Sequence, residues 1–235
     1  MSDHTSKQFD AEMEAIRSGV LTMGGLVETQ LTRAIAVVAN DEDNATIDRV
    51  GTDEQQINQM QMTIDQQCGQ IIAKRQPAAI DLRMILTITK IVNDLERIGD
   101  EVKKIAYKAQ QARGAATLSR LRGYDVLHAA ELAREMLQMA LDAFARLDAA
   151  AAAEVIDRDE EIDAAFHAIL RQLISYMMED PRTISSALEI VFIAKSIERI
   201  GDHAKNIAEA VVSAVMGKDV RHASAEQIRA EVAEE

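Results

Sequence analysis

The sequence predicts an all-α protein built as two tandem, homologous three-helix bundles. Composition is the first reason: aromatics make up 3% of the 235 residues, Pro occurs twice and 48% of residues are hydrophobic. Ala, Leu, Ile, Met, Glu and Gln are abundant, a helix former's vocabulary with little strand content. Second, apolar residues recur at helical spacing over six long segments separated by turn signals. Third, two of those segments are copies. Leu95-Glu96-Arg97-Ile98-Gly99-Asp100 is matched by Ile197-Glu198-Arg199-Ile200-Gly201-Asp202, and the offset of 102 residues holds through Ile105-Ala106 and Ile207-Ala208. A period that long, with three helices in each unit, indicates a duplicated domain and not a short solenoid repeat.

The six segments run over 8–40, 43–75, 78–112, 117–147, 150–179 and 182–216. Asn40-Asp41-Glu42-Asp43-Asn44 separates the first two, and Gln76-Pro77 ends the second. Gly114, Asp148 and Asp180-Pro181 close the third, fourth and fifth. Pro suits a helix's first turn, where its missing N–H would have had no partner. The Ala149–Ala153 run reads as a helix start or a connector. A boundary near Gly114 gives units 1–114 and 115–217, followed by a weakly ordered tail, 218–235. Helices of about 30 residues are about 45 Å long, so two slender bundles lying side by side or end to end are expected.

The net charge of −13 disfavours nucleic acid as a partner, because duplex binding needs Lys and Arg on phosphates and here acids outnumber bases. No apolar run approaches the roughly 20 residues of a membrane span, and the residues around Asp3, His4, Lys7 and Asp10 have no signal-peptide core. A cytoplasmic protein with no membrane insertion is the expectation. Cys68 is the single cysteine and reads as a small core residue. Met60, Met62, Met177 and Met178 read as core fillers, with an adaptable partner surface as the alternative.

The chemistry lies in paired carboxylates. Glu96 with Asp100, and Glu198 with Asp202, stand four residues apart and so share a helical face. Like charges at that spacing cost a helix roughly 0.2–0.5 kcal/mol, so a countercharge is expected. The apolar stripe of the third segment runs through Leu95, Ile98, Val102 and Ile105, which puts the acids on a flank, past Gly99. A mid-helix Gly beside each pair indicates close approach of another backbone or a ligand.

Antiparallel hairpins bring together residues equidistant from their turn. About Asp180-Pro181, Glu198 and Asp202 face Asp159 and Asp163; about Pro77, Glu96 and Asp100 face Glu54 and Asn58. The second set has four carboxylates and the first has three and an amide. Oxygen-rich clusters of this kind suit hard or borderline divalent cations or iron (Fe, Zn, Mn or Mg), bound more tightly by the second set. The competing reading is a set of surface salt bridges with Arg97, Arg199, Lys103 and Lys205. His203 and His167 stand near the second set as further nitrogen ligands or as hydrogen-bonded surface residues. His4, His128 and His222 have no clustered partners in the sequence.

The paired Glu-Arg-Ile-Gly-Asp motifs, Ile72-Ala73-Lys74-Arg75-Gln76-Pro77 before the first and Tyr176-Met177-Met178-Glu179-Asp180 before the second resemble the PhoU family of phosphate-transport regulators. Met23-Gly24-Gly25-Leu26-Val27-Glu28 is similar to that family's first helix, and the likeness spans nearly the whole chain. The resemblance implies two three-helix bundles whose Glu/Asp-x-x-x-Asp motifs hold metal ions on their surface. Glu96/Asp100, Asp159/Asp163 and Glu198/Asp202 fit that motif, and Asn58 departs from it. It further implies a negative regulator of the phosphate-starvation response and phosphate uptake. Its partners would be the phosphate ABC transporter ATPase and a sensor histidine kinase, and a homo-oligomer, in the simplest form a dimer, is expected. A carboxylate-bridged oxidase is disfavoured, because such enzymes use Glu-x-x-His motifs that this sequence lacks. No nucleophile–base pair or Gly-rich phosphate cradle stands out, so a non-enzyme is expected.

Overall fold

A computed structural model describes residues 2–40, 44–112, 125–220, 223 and 225–233. The described chain is helical. Helices α1 (Ser2–Asn40), α2 (Asn44–Arg75) and α3 (Ala79–Gln111) form the first bundle. Helix α4 (Asp125–Arg146), the broken pair α5 (Ala149–Asp157) and α6 (Asp159–Glu179), and α7 (Ile184–Met216) form the second. The expected boundary at Gly114 lies outside the described residues.

The breaks follow the local chemistry, with one addition. Asp180 accepts a hydrogen bond from the Arg182 amide, and Pro181 opens a single 3-10 turn, Pro181–Thr183, before α7 begins. Asp148 caps α5 by accepting from the Ala151 amide. The segment expected as one helix over 150–179 is broken at Arg158. There the acidic run Asp159, Glu160 and Glu161 starts a new helix, where its charge favours the N-terminal dipole. The Arg158 side chain turns away to donate to Glu135 at 3.0 Å.

Helix α7 stops at Gly217, whose φ of 73° supplies the left-handed residue that lets its amide return to the Ser213 carbonyl. Beyond it, part of the stretch expected to be a weakly ordered tail is helical: α8 (Ala225–Ala233) packs on α5, with Ile228 buried and Arg229 paired to Asp157 at 3.0 Å. Among the methionines expected in the core, Met60 and Met177 pack against it, whereas Met62 and Met178 are exposed. Cys68 is buried, which pushes its thiol up to about 11 and leaves it unreactive.

The two bundles lie side by side. Their most extensive helix pairing joins α3 to α7, one from each repeat, and α1 also meets α4. Helices α3 and α7 run antiparallel: Asp94 meets His203 at 2.9 Å, Ser196 donates to Glu101 at 2.8 Å, and Lys108 pairs with Glu189 at 2.9 Å. Under the 102-residue repeat, Asp94–His203 is the image of Ser196–Glu101. The chain therefore has an internal pseudo-twofold axis passing between Arg97–Ile98 and Arg199–Ile200. Both halves bury continuous stripes: Ile91, Leu95, Ile98, Val102 and Ile105 on α3, and Ile193, Ile197, Ile200, Ala204 and Ile207 on α7.

Candidate functional site

The hairpins set the acids of facing helices near enough to feel one another's charge, but not, among the described residues, so near that three of them could share one ion. In the first bundle Glu54 of α2 is 7% exposed and accepts from Asn58 Nδ2 at 3.0 Å and from Lys103 Nζ at 3.0 Å. Glu96 is raised above the ordinary carboxylate range by burial and by the neighbouring charges of Asp100 and Glu54. In the second, Asp202 keeps a solvent-facing side, yet it is raised by the protein packed around it and by Glu198, Asp159 and Asp163. One third-helix acid of each bundle thus feels the helix opposite, Glu96 through Glu54 and Asp202 through Asp159 and Asp163.

Cations hold these sets from within. Lys103 and Lys205 are repeat images; one donates to Glu54, and the other donates to Asp159 at 2.5 Å. Burial alone would lower the Lys205 ammonium, but the bond to Asp159 together with the charges of Asp159, Glu209 and Asp202 holds the group above the usual lysine range. Lys195 donates to Glu198 at 2.6 Å, and Arg97 stands 3.6 Å from Glu96. Arg199, expected beside its own repeat's acids, crosses to Glu101 instead. Of the two readings for the histidines, hydrogen bonding is what the structure shows: His203 Nδ1 meets Asp94 at 2.9 Å, and His167 Nδ1 lies 2.8 Å from the Asp163 carbonyl.

The donor chemistry fits a hard cation. Asn58 Oδ1 is buried with no hydrogen-bond donor beside Glu54, and carboxylate and amide oxygens are the ligands such ions prefer. Among the described residues, however, no three His, Cys, Asp or Glu side chains stand close enough to share one ion. The ammonium groups of Lys103 and Lys205 supply the countercharge instead. Gly99 and Gly201 serve packing in this arrangement: an added Cβ would meet Ile57 Cδ1 at 3.2 Å and Ile162 Cδ1 at 2.7 Å, so each glycine admits an isoleucine of the facing helix.

Between the two sets lies a groove of about 670 Å³ on the pseudo-twofold axis. Its lining includes the repeat images Arg97 and Arg199, Asp100 and Asp202, Glu101 and His203, and Lys104 and Asn206. Glu101 is 5% exposed; burial would raise its carboxyl, but hydrogen bonds from Lys104, Ser196 and Arg199 hold it below the usual range. Sequence reasoning missed this seam. Its signal is polar residues at seven-residue spacing, Asp94, Glu101 and Lys108 on α3 and Glu189, Ser196 and His203 on α7, as at the contact line of paired helices.

Comparison with known proteins agrees with this duplicated architecture. The family model described as the PhoU domain matches residues 20–109 and again 126–211. A Pseudomonas putida protein described as a phosphate-specific transport system accessory protein PhoU homolog is 47% identical over 99% of this chain and 90% of its own length. The phosphate-specific transport system accessory protein PhoU of Escherichia coli (strain K12) is 42% identical over 97% of this chain and 93% of its own length. The crystal structure of PhoU from Pseudomonas aeruginosa superposes with a TM-score of 0.81 at 45% identity, covering 89% of this chain and 100% of that one. The phosphate transport system regulatory protein PhoU from Streptococcus pneumoniae gives 0.82 at 28% identity, covering 90% and 99%. Two matched domains that repeat the duplicated helices, with full-length relatives well above 30% identity, show that the chain belongs to the PhoU family.

Proposed function

We propose that the chain is a non-catalytic accessory protein of phosphate transport that restrains phosphate uptake and the starvation response. In this reading it works in the cytoplasm by docking onto the transporter's ATPase and a sensor histidine kinase. The observation that carries the reading is the near-full-length likeness to relatives described as phosphate-specific transport accessory proteins. No described helix is long and apolar enough to cross a membrane, which suits an adaptor meeting membrane partners from outside the bilayer.

The same reading gives the two carboxylate sets a divalent cation or iron. Asp159, Asp163, Glu198 and Asp202 would hold it in the second bundle, and Glu54, Asn58, Glu96 and Asp100 in the first. A bound ion would offset the burial and repulsion that raise Asp202 and Glu96 and would fix the flanks of the groove for a partner. Lys103 and Lys205 must swing clear, so Lys205→Met is expected to tighten cation binding by removing its competitor. A bacterium lacking the protein is expected to express its starvation genes when phosphate is plentiful. Normal repression in that strain would refute the regulatory reading.

A further inference from the structure

The second helix of each repeat is continuous in one bundle and broken in the other. Helix α2 runs from Asn44 to Arg75 straight through Asp53 and Glu54. Their images, Arg158 and Asp159, straddle the break between α5 and α6, the register being set by Ile57 and Ile162 against the repeated glycines. At that break the α-helical ladder gives way to shorter bonds. The Arg158 amide returns to the Val155 carbonyl at 3.2 Å, and the Glu161 amide to the Arg158 carbonyl at 3.0 Å. The Arg158 side chain does not cap α6. Asp157, the last residue of α5, puts a negative charge at the negative end of a helix dipole.

Helix α8 is fastened to this joint. Its Arg229 pairs with Asp157 at 3.0 Å and answers the misplaced charge. Ala149, Ala153 and Asp157 stand four residues apart and share the face of α5 that meets α8, and both alanines are buried. The hold of α8 is slight. Its 9 residues are fewer than the roughly 12 an isolated helix needs to persist in water. Ile228 is the one buried apolar residue among its described side chains. Its ion pairs use exposed cations, Arg229 at 55% and Lys218, paired to Glu231, at 66%, where such pairs contribute little. Val220, 3% exposed, anchors the chain just before the helix. Helix α8 also lies beyond the second stretch matched by the PhoU domain, 126–211.

We propose that α8 is a releasable strap over the α5–α6 joint. Docked, it holds the joint in register; released about Val220, it lets the joint open, frees Asp159 to leave Lys205 and uncovers the alanine face of α5. The break and the strap occur in the same bundle, and the Arg229–Asp157 pair ties one to the other. With Arg229 gone, the last residue of α5 keeps an unanswered acid, which favours fraying at that end. Asp159 stands two residues further on, so the state of the C-terminal helix passes to the carboxylate set of the second bundle and not to that of the first. The device needs neither a bound ion nor a partner, and it is independent of the regulatory reading.

The test is amide hydrogen exchange of the full chain, followed by mass spectrometry in the presence of chelator. In the unaltered chain the amides of α8 are expected to exchange about tenfold faster than those of α5, because the strap opens on its own. Ile228→Asp should keep it off, so that residues 155–161 lose about tenfold in protection while 50–56 of the unbroken α2 keep theirs. Arg229→Glu should give a smaller loss, and adding Asp157→Arg should restore protection in both α8 and the joint. Exchange in α8 as slow as in α5, an unchanged 155–161 in Ile228→Asp, or a charge swap that restores nothing would each overturn the proposal. So would a loss spread over α2, α4 and α7 in both Ile228→Asp and Arg229→Glu, which would make α8 a fixed part of the core. Chelator keeps cations out of every outcome, so the cation reading is judged separately.

Discussion

In the first bundle Glu54 is sunk against its helix and fully engaged by Asn58 and Lys103, while in the second the corresponding Asp159 has a single ammonium partner and a second carboxylate, Asp163, one turn on. The neighbours around them recur: repeated glycines admit Ile57 and Ile162, and repeated lysines reach across the hairpin. Substitution has therefore changed the charge of the set, and the helix that carries it differs too: α2 runs unbroken through Glu54, whereas a new helix begins at Asp159. In one set the Asn58 amide and Lys103 engage Glu54, and the Asn58 Oδ1 is left without a donor. The other holds an excess of negative charge that favours a cation.

The largest expected difference is in the cell. Glu198→Lys with Asp202→Lys is expected to reproduce the deletion phenotype, whereas Glu96→Lys with Asp100→Lys leaves partial repression, measured with a starvation-promoter reporter at high phosphate. Equal effects would remove the asymmetry between the bundles. At the seam, Glu101→Ala is expected to destabilise the protein by about 1–2 kcal/mol in urea melts. The Ser196 hydroxyl loses a buried acceptor, while the half-exposed Lys104 and Arg199 recover water. Asn206→Ala at the image of Lys104 should cost much less.

The glycines sharpen the comparison further. Ala gains about 1 kcal/mol of helix propensity at either site, but at Gly201 it forces Ile162 aside, with both Cδ1 at 2.7 Å and Cγ2 at 3.3 Å in the way. Gly201→Ala is expected to destabilise by about 1 kcal/mol and Gly99→Ala to lie near neutral. The smallest effect is in pH dependence. Asp202 has its folded pKa raised, so its charge costs stability above that pKa, and the cost fades as pH falls toward the unfolded value. Asp202→Asn should raise Tm at pH 7 by a few degrees at most, with the gain vanishing in the acid range. Glu101→Gln should do the reverse: its lowered pKa contributes stability above the unfolded value that is lost as pH falls through the folded one.

Much of this was legible in the sequence, for definite reasons. Hairpins mirror residues about their turn, so Asp180-Pro181 and Pro77 were enough to place Asp159 and Asp163 opposite Glu198 and Asp202, and Glu54 opposite Glu96. The break at Arg158 was hidden because Val155-Ile156-Asp157-Arg158 contains neither Gly nor Pro, and only the acidic run after it marks a new start. Helix α8 was hidden because Ile228 is the one buried apolar anchor among its described side chains. The groove depends on how one repeat lies on the other. No local pattern states that, and the seven-residue spacing of Asp94, Glu101 and Lys108 was its faint trace.

Calorimetric titration of the purified protein with a divalent cation tests the central comparison most directly. The account predicts two unequal binding events, the tighter one lost in Asp159→Asn with Asp163→Asn and the weaker one lost in Glu96→Gln with Asp100→Asn. Two sites of equal affinity, or a titration unchanged by the second-bundle substitutions, would contradict it.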